Sequence, residues 1–327
     1  MTDTSCLIVT VPDRLAGQRL DQALSTLVSD YSRSRLQIWI RAGQVRVDGA
    51  IWRARDRVVG GELVEIIASH APVPDLMAQE IDLDILYEDD ALLVINKPPG
   101  LVVHPAAGNP DGTLQNALLF YDPALAAVPR SGIVHRLDKE TSGLLVVART
   151  LAAHHRLVEQ LQARHIRREY DAVISGVMTA GGTVEAPIGR HPVDRKRMSV
   201  MPGGKPALTH YRVKERFAGH TRILVRLETG RTHQIRVHMA HIHYPLLGDP
   251  VYGGRMRLPS AAGTELRRVV REFRRQALHA TRLSLTHPST GQSMTWRAPQ
   301  PADMVRLVAA LRAHAAGDAE ETTGRAT

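Results

Sequence analysis

A charge-dense segment over 135–143 concentrates side chains that could act in catalysis. It reads His-Arg-Leu-Asp-Lys-Glu-Thr-Ser-Gly and precedes a short apolar strand predicted over 144–148. Asp138 lies between two cationic neighbours, Arg136 and Lys139, which would keep its carboxylate ionised. Loops beside strand ends often hold functional residues. The local pattern favours a catalytic carboxylate and a structural salt-bridge loop equally.

A second polar segment over 230–236, Gly-Arg-Thr-His-Gln-Ile-Arg, offers a fixed cation. Arg231 follows a strand predicted over 223–228 and precedes a helix predicted over 234–242. This position suits a cation that faces a site. A salt bridge at the start of the helix is an equally good interpretation.

Four histidines that lie close together raise the question of a metal site: His233, His238, His241 and His243. His238 and His241 are three residues apart on the predicted helix, and imidazoles on one helix face can bind zinc. No second ligand pair with a recognised spacing and no His-Glu-x-x-His segment accompanies them. We therefore expect structural or RNA-contacting histidines and no metal.

The familiar cofactor motifs do not occur in the sequence. No Gly-x-Gly-x-x-Gly segment follows a strand, and no Gly-x-x-x-x-Gly-Lys-Ser/Thr segment is present. Gly203-Gly204-Lys205 is followed by Pro206, which cannot open a P-loop helix in the required way. We expect no cofactor.

Composition and charge indicate a globular protein with an acidic partner. The 327 residues are 43% apolar, which excludes a wholly disordered chain, and the single cysteine, Cys6, excludes an internal disulfide framework. No apolar run approaches the ~20 residues that span a bilayer, and no secretory signal is visible, so we expect a cytoplasmic protein.

Lys and Arg exceed Asp and Glu by 42 to 33, which makes nucleic acid the first partner to test. Aromatic residues are only 4%, which argues against a single-strand binder built from rows of stacking rings.

Proline content and periodicity divide the chain into parts. We predict a small α+β module over 17–66, a proline-containing linker over 67–80, a long segment over 81–314 and a disordered tail over 315–327. The long segment combines mainly strand-like runs with a few helical ones. It therefore indicates an α+β domain with a mixed, mainly antiparallel sheet rather than a doubly wound parallel sheet.

The first module combines two predicted helices with a hairpin. The second helix, over 33–41, turns Leu36, Trp39 and Ile40 inward, and a strand over 44–47 ends in the hairpin signal Asp-Gly. The outer face of that helix carries three arginines, Arg33, Arg35 and Arg41. Taken alone, the module is a small α+β unit with a solvated charged face. Its sequence from Arg-Leu-Asp-Gln-Ala-Leu to Gln-Val-Arg-Val-Asp-Gly resembles the S-four-like RNA-binding domain, so the resemblance implies that this face contacts RNA.

Several segments of the long part resemble, in order, the RluA/RluD-type family of large-subunit ribosomal RNA pseudouridine synthases. They are Asn-Lys-Pro-Pro-Gly-Leu-Val-Val-His-Pro over 96–105, the 135–143 segment, Arg-Glu-Tyr over 168–170, and Gly-Arg-Thr-His-Gln-Ile-Arg-Val-His over 230–238. Leu-Leu-Gly-Asp-Pro-Val-Tyr-Gly over 246–253 and Ala-Leu-His-Ala over 277–280 extend the match. The chain departs from the family at His243 and Tyr244, where Gly and His are usual, and at Glu140, where Asp is common. The first departure bears on the path of the chain after the helix, because a glycine there normally takes the left-handed conformation.

The resemblance implies roles for individual residues. Asp138 is the essential carboxylate, Tyr170 stacks on the target base and assists removal of the C5 proton, and Arg231 pairs with Asp138. Leu278 packs in the uracil pocket. Further substrate contacts are expected from Arg136 and from a basic loop, whose residues Arg195, Lys196 and Arg197 would contact phosphate.

The implied activity is conversion of uridine to pseudouridine in large-subunit ribosomal RNA. The reaction is redox-neutral, so no cofactor is required. Asp138 would act either as a nucleophile on the sugar or by taking a ribose proton to give a glycal, and the sequence does not choose between them. The expected partner is ribosomal RNA or a pre-ribosomal particle, with the protein as a monomer. The alternatives are a non-catalytic RNA-binding ribosome-assembly factor and, third, a metal-dependent hydrolase.

Overall fold

The computed structural model describes residues 4–28, 31, 33–69, 77–106, 108–254, 258–259 and 262–324. It divides into two compact units, Met1–Leu76 and Met77–Thr327. The boundary falls inside the predicted linker.

The first unit is a four-stranded antiparallel sheet with two helices. Its elements are β1 (Thr4–Thr10), α1 (Leu20–Leu27), α2 (Arg33–Arg41), β2 (Val45–Val47), β3 (Ala50–Ile51) and β4 (Leu63–Ser69), with the strand order β1-β4-β2-β3. β1 pairs with β4 along its whole length. β1 thus lies before the predicted start of the module at residue 17, and β4 extends into the predicted linker. Both deviations come from pairing between distant strands, which local patterns do not show.

The core of this unit follows from the apolar spacing of its helices. Leu20 and Leu24 of α1 and Leu36 and Ile40 of α2 are fully or almost fully buried. The Asp-Gly turn after β2 has positive φ at both residues, as a tight hairpin between twisted strands requires.

The second unit is built on one long sheet. Its strands are β5 (Ile85–Glu88), β6 (Leu92–Lys97), β7 (Ser142–Ala148), β8 (Arg167–Ser175), β9 (Gly182–Glu185), β10 (Ile188–Arg190), β11 (Met198–Val200), β12 (Leu208–Phe217), β13 (His220–Leu227), β14 (Leu278–Thr286) and β15 (Ser293–Arg297). The sheet order is β5-β6-β7-β14-β8-β13-β12-β9, with β15 beside β14, and β10 and β11 form a separate hairpin. Only β7 and β14 pair in parallel among the described strands. The α+β fold with a mainly antiparallel sheet is confirmed.

Five helices cover this sheet and its edges: α3 (Leu114–Tyr121), α4 (Leu151–Gln162), α5 (Gln234–His241), α6 (Thr264–Glu272) and α7 (Ala302–Gly324). Buried apolar residues of α6 and α7 share one core cluster. α7 continues to Gly324, through most of the segment predicted to be a disordered tail; its many alanines have high helix propensity. Within the described residues, no helix is long and apolar enough to cross a membrane.

The centre of the sheet sets the position of the candidate site. All residues of β7 are buried, and a Cβ on Gly143 would lie 2.3 Å from the carbonyl oxygen of Ala280, so only glycine allows β7 and β14 to approach this closely. The loop that enters β7 carries Asp138, β8 carries Tyr170, and β14 begins at Leu278. β14 pairs with both β7 and β8, so these three segments, distant in sequence, meet at the centre of the sheet.

Candidate active site

A cavity of about 560 Å³ brings the predicted site residues together. Its walls include Arg136, Asp138, Tyr170, Arg231 and Leu278. All of them were singled out from the sequence for catalysis or substrate binding. Their joint placement supports one common site.

The carboxylate of Asp138 is held by an arginine other than the predicted one. Nη1 of Arg236 donates to Oδ2 of Asp138 at 3.0 Å, and Nε2 of His233 lies 3.9 Å from Oδ1. Arg231 instead donates its Nε to the carbonyl oxygen of Pro206 at 3.1 Å. The predicted Arg231–Asp138 pair is therefore corrected to Arg236–Asp138. Arg231 is exposed at the start of the helix, whereas Arg236 lies on its buried face.

Arg236 is fixed by a second carboxylate. Its Nε and Nη2 donate to Asp249 at 2.7 and 2.9 Å, and Asp249 also accepts the backbone N–H groups of Val251 and Tyr252. Burial opposes the charge of Arg236, but the hydrogen bonds and charges of the two carboxylates outweigh it and raise its pKa. Burial likewise opposes the charge of Asp249, yet Arg236 holds the pKa of that carboxyl below its usual value. Such a bidentate pair fixes orientation as well as charge.

Tyr252 connects this ion pair to the predicted basic loop. Its hydroxyl lies 2.8 Å from Nδ1 of His233 and accepts the backbone N–H of Met198 at 2.9 Å. The guanidinium carbon of Arg236 lies 5.0 Å from the ring centroid of Tyr252, and that of Arg197 lies 5.3 Å from it. Arg195 and Lys196 are exposed in the same loop, between β10 and β11. No local sequence signal indicates that Tyr252 joins these groups, because they come from three separate segments.

Tyr170 lies on β8 with only 5% of its surface exposed. Burial raises the pKa of its phenol; the nearby Arg168 lowers it and Asp138 raises it further. At neutral pH the phenol is therefore protonated in the free protein. Leu278 lies on the neighbouring strand β14, where its backbone is paired with Ala172.

Lys97 anchors the loop that carries Asp138, a function that the sequence did not reveal. Its side chain is fully buried, and Nζ donates to the carbonyl oxygens of Pro98, Leu101 and Lys139 at 2.7, 2.9 and 3.0 Å. Burial lowers its pKa to about 7. Three carbonyl acceptors require three N–H donors, which the ammonium form supplies.

Two of the clustered histidines, His233 and His238, have individual protein partners. His238 is fully buried, with Nδ1 2.9 Å from the hydroxyl of Thr209 and Nε2 3.0 Å from the carbonyl oxygen of Ala186. In the part of the chain that the structure describes, no group of three or more metal-ligating side chains occurs. His243 has φ of 65°, so it takes the left-handed conformation in which the family usually has glycine, and the departure preserves the turn after α5.

Of the three arginines predicted to contact RNA in the first unit, the structure describes the side chain of only Arg41. Arg41 is exposed at the end of α2. The side chains of Arg33 and Arg35 lie outside the described residues. Their contact with RNA stays a prediction.

Comparisons with known proteins give the family. A model described as RNA pseudouridylate synthase matches residues 91–241, and a model of the S4 domain matches residues 18–64. The ribosomal large subunit pseudouridine synthase D of Salmonella typhimurium is 59% identical over 94% of this chain and 94% of the relative. The protein of that name from Pseudomonas aeruginosa is 56% identical over 95% of this chain and 98% of the relative. The structure of human RNA pseudouridylate synthase domain containing 4 covers 70% of this chain and 92% of its own, with a TM-score of 0.55 and 26% identity. With matches of this extent, the chain belongs to the family of RNA pseudouridine synthases that includes the ribosomal large-subunit enzymes.

Proposed function

We propose that this protein converts specific uridines of large-subunit ribosomal RNA to pseudouridine, with Asp138 as the catalytic carboxylate and no cofactor. The observation that carries the proposal is the Asp138–Arg236–Asp249 arrangement at the wall of a cavity that also contains Tyr170. The substrate class follows from the two bacterial relatives, which match almost the whole chain.

Asp138 has the chemistry that the isomerisation needs. The bond from ribose C1′ to uracil N1 breaks, the base turns, and a new bond joins C1′ to C5. Two routes fit the carboxylate of Asp138 here. It attacks C1′ and forms a covalent sugar ester, or it takes the C2′ proton and gives a glycal. In both routes Arg236 aims the carboxylate, since it holds one oxygen and leaves Oδ1 without a close hydrogen bond.

Tyr170 and Leu278 are proposed to hold the uracil ring while it is detached and turned. A uridine must leave its stack to reach a buried carboxylate, at a cost of a few kcal/mol that is least in a loop. Stacking on an aromatic side chain recovers about 1–3 kcal/mol. The Tyr170 hydroxyl is proposed to take the C5 proton; because burial raises its pKa, it must first lose its own proton within the site.

RNA binding outside the cavity is assigned to basic surfaces of both units. The S4 domain contributes Arg33, Arg35 and Arg41, and the second unit contributes Arg195, Lys196 and Arg197, whereas Arg136 contacts the substrate from the cavity wall. The partner is free ribosomal RNA or a pre-ribosomal particle. We further propose that the protein acts as a monomer in the cytoplasm. Light scattering at a mass near 36.0 kDa would support the monomer, and twice that mass would contradict it.

A decisive experiment maps pseudouridines in ribosomal RNA. A strain that lacks the gene should lose specific sites in the large subunit, and the purified protein should restore them in vitro. Asp138→Asn should abolish this turnover and keep RNA affinity, whereas Asp90→Asn, an exposed turn residue, should change neither. Binding without turnover by the wild type would favour the assembly-factor alternative. Turnover that is insensitive to chelators would dismiss the metal-dependent hydrolase.

A further inference from the structure

Arg168 is a buried arginine that has no partner in the described protein. It lies on β8 two residues before Tyr170, so both side chains project to the same face of the strand. Only 8% of its surface is exposed, and it lines the cavity. Its Nε is buried without a hydrogen bond, and its guanidinium forms no ion pair with any described residue.

An isolated buried charge is costly unless something compensates it. The acidic side chains in the cavity wall do not neutralise the charge of Arg168, because they pair with other residues. Asp138 is engaged by Arg236, and Glu228 by His210 at 2.8 Å. The guanidinium is therefore available for an anion that enters the cavity.

Gly230 leaves space for this guanidinium. A Cβ at position 230 would lie 2.9 Å from Nη1 of Arg168. Its φ is not in the left-handed region, so the backbone itself would accept alanine. The glycine is thus explained by the space that Arg168 occupies.

His135 adds a second unpartnered donor beside Arg168. Its Nε2 accepts the backbone N–H of Val146 at 3.2 Å, so in the neutral ring Nδ1 carries the proton, and Nδ1 is buried without a partner. Burial and the charge of Arg168 lower its pKa to about 3, which keeps the ring neutral. His135 also lines the cavity. Two donors on one wall therefore lack an acceptor.

Two further arginines, Arg130 and Arg164, are exposed residues of the same cavity wall. Both have positive φ, 55° and 60°, a conformation that favours glycine over arginine. Arg164 meets Glu228 only at 3.4 Å. This wall is therefore positively charged from its buried end to its rim.

We propose that Arg168 and His135 form a binding site for a phosphate group of the RNA backbone beside the target uridine. This inference rests on the proposed function. Two residues along a strand are separated by about 6.6 Å, similar to the separation between a base and the phosphate of its own nucleotide. A base stacked on Tyr170 thus brings a backbone phosphate to Arg168. A phosphate is favoured over a uracil carbonyl because the buried guanidinium lacks an opposite charge.

The test compares a charged and a neutral RNA linkage. The RNA is a ribosomal fragment that the wild type converts, with a phosphodiester or a methylphosphonate directly 5′ or directly 3′ of the target uridine. In both RNAs of a pair, the nucleotide on the 5′ side of the varied linkage lacks its 2′-hydroxyl. Dissociation constants are measured for full-length proteins that carry Asp138→Asn, so that chemistry does not intervene.

Arg168→Met should weaken binding of the phosphodiester RNA by about ten- to a hundred-fold, the value of one hydrogen bond to a charged group. It should have almost no effect on the RNA that is neutral at the contacted linkage. The control Arg282→Met removes a strand arginine whose Nε is also buried without a partner but which does not line the cavity. It should weaken both RNAs equally or not at all.

The unfolding temperature of Arg168→Met shows whether Arg168 serves to bind RNA or to stabilise the fold. Because Arg168 is an uncompensated charge, Arg168→Met should unfold at the same temperature as the parent or higher, whereas a structural arginine would lower it. Gly230→Ala gives a second measurement, since it displaces Nη1 without removing the charge and should weaken only the phosphodiester RNA. Equal losses on charged and neutral RNA at both linkages would overturn the phosphate site. Failure of the wild type to convert any ribosomal fragment would instead overturn the proposed function.

Discussion

Two buried arginines on one cavity differ in how the protein satisfies them. Arg236 and Arg168 are 5% and 8% exposed. Arg236 donates to two carboxylates, whereas Arg168 has no acceptor among the described residues. The two carboxylates take three of the five N–H donors of Arg236 and saturate it with negative charge, so a further anion would gain little there and the role of Arg236 is to position Asp138. An unsaturated one gains most when an anion arrives.

This difference separates the chemistry from the recognition of RNA. At the Arg236 end, Asp249 and Tyr252 hold the guanidinium, so the carboxylate of Asp138 is oriented before substrate binds. At the Arg168 end, two residues that line the cavity, Arg168 and His135, each keep a buried donor without a partner. Preorganisation serves the first end because the developing charge on the sugar has to meet a fixed group.

The largest expected effect comes from breaking the saturated end. Arg236→Gln leaves Asp138 and Asp249 without their shared cation, so we expect turnover to fall by about 100- to 1000-fold and stability by about 3–5 kcal/mol. Arg231→Gln is the matched control: it removes one hydrogen bond to a backbone carbonyl and should reduce turnover much less. Single-turnover assays and urea unfolding measure both variants. A greater loss of turnover in Arg231→Gln would restore the original prediction for Asp138.

That correction shows what the sequence could and could not predict. The helix over Arg33–Arg41 and the Asp-Gly turn were predictable because their signals are local. The partner of Asp138 was not, because it lies 98 residues away and two arginines of one segment were candidates. β1 was missed for the same reason, since its pairing with β4 joins the ends of the first unit.

A second prediction concerns Tyr170, which lines the same cavity. Tyr170→Phe keeps the aromatic face, so RNA affinity should stay within about twofold, whereas Tyr170→Ala should lose about 1–3 kcal/mol of binding. Loss of the hydroxyl should slow product formation by about 100- to 10,000-fold, the range for general acid–base groups. Binding titrations and single-turnover rates separate the two effects. Unchanged rates for Tyr170→Phe would assign the C5 proton to another group.

A third prediction concerns the basic loop, which Tyr252 connects to Arg236 and which is proposed to contact RNA phosphates. Replacing Arg195, Lys196 and Arg197 by alanine should weaken RNA binding and reduce its log-log salt slope by about 0.7–0.9 for each phosphate that these side chains neutralise in the wild type. Stability should change little, since exposed charges contribute roughly 0–1 kcal/mol each. Titrations of one ribosomal fragment at several salt concentrations provide the slopes. Identical slopes for wild type and variant would move the phosphate contacts to the first unit.

The smallest expected effect is an acid sensitivity at the Arg168 end. His135 has a pKa of about 3 in the folded protein, against about 6.5 in an unfolded chain. As the pH falls below about 6.5, the unfolded chain binds a proton that folded His135 does not, so His135 lowers stability by about 1.4 kcal/mol per pH unit in this window. His135→Gln should reduce this slope, and the exposed His241→Gln should not. Arg168→Met should reduce it in part, because the charge of Arg168 is the second cause of the lowered pKa after burial.

Urea unfolding at about pH 7, 6, 5 and 4.5, values chosen to span this range, measures the slopes. If His135→Gln leaves the slope unchanged, His135 takes up its proton in the folded protein and the wall beside Arg168 is more open to water than the burial of its donors indicates.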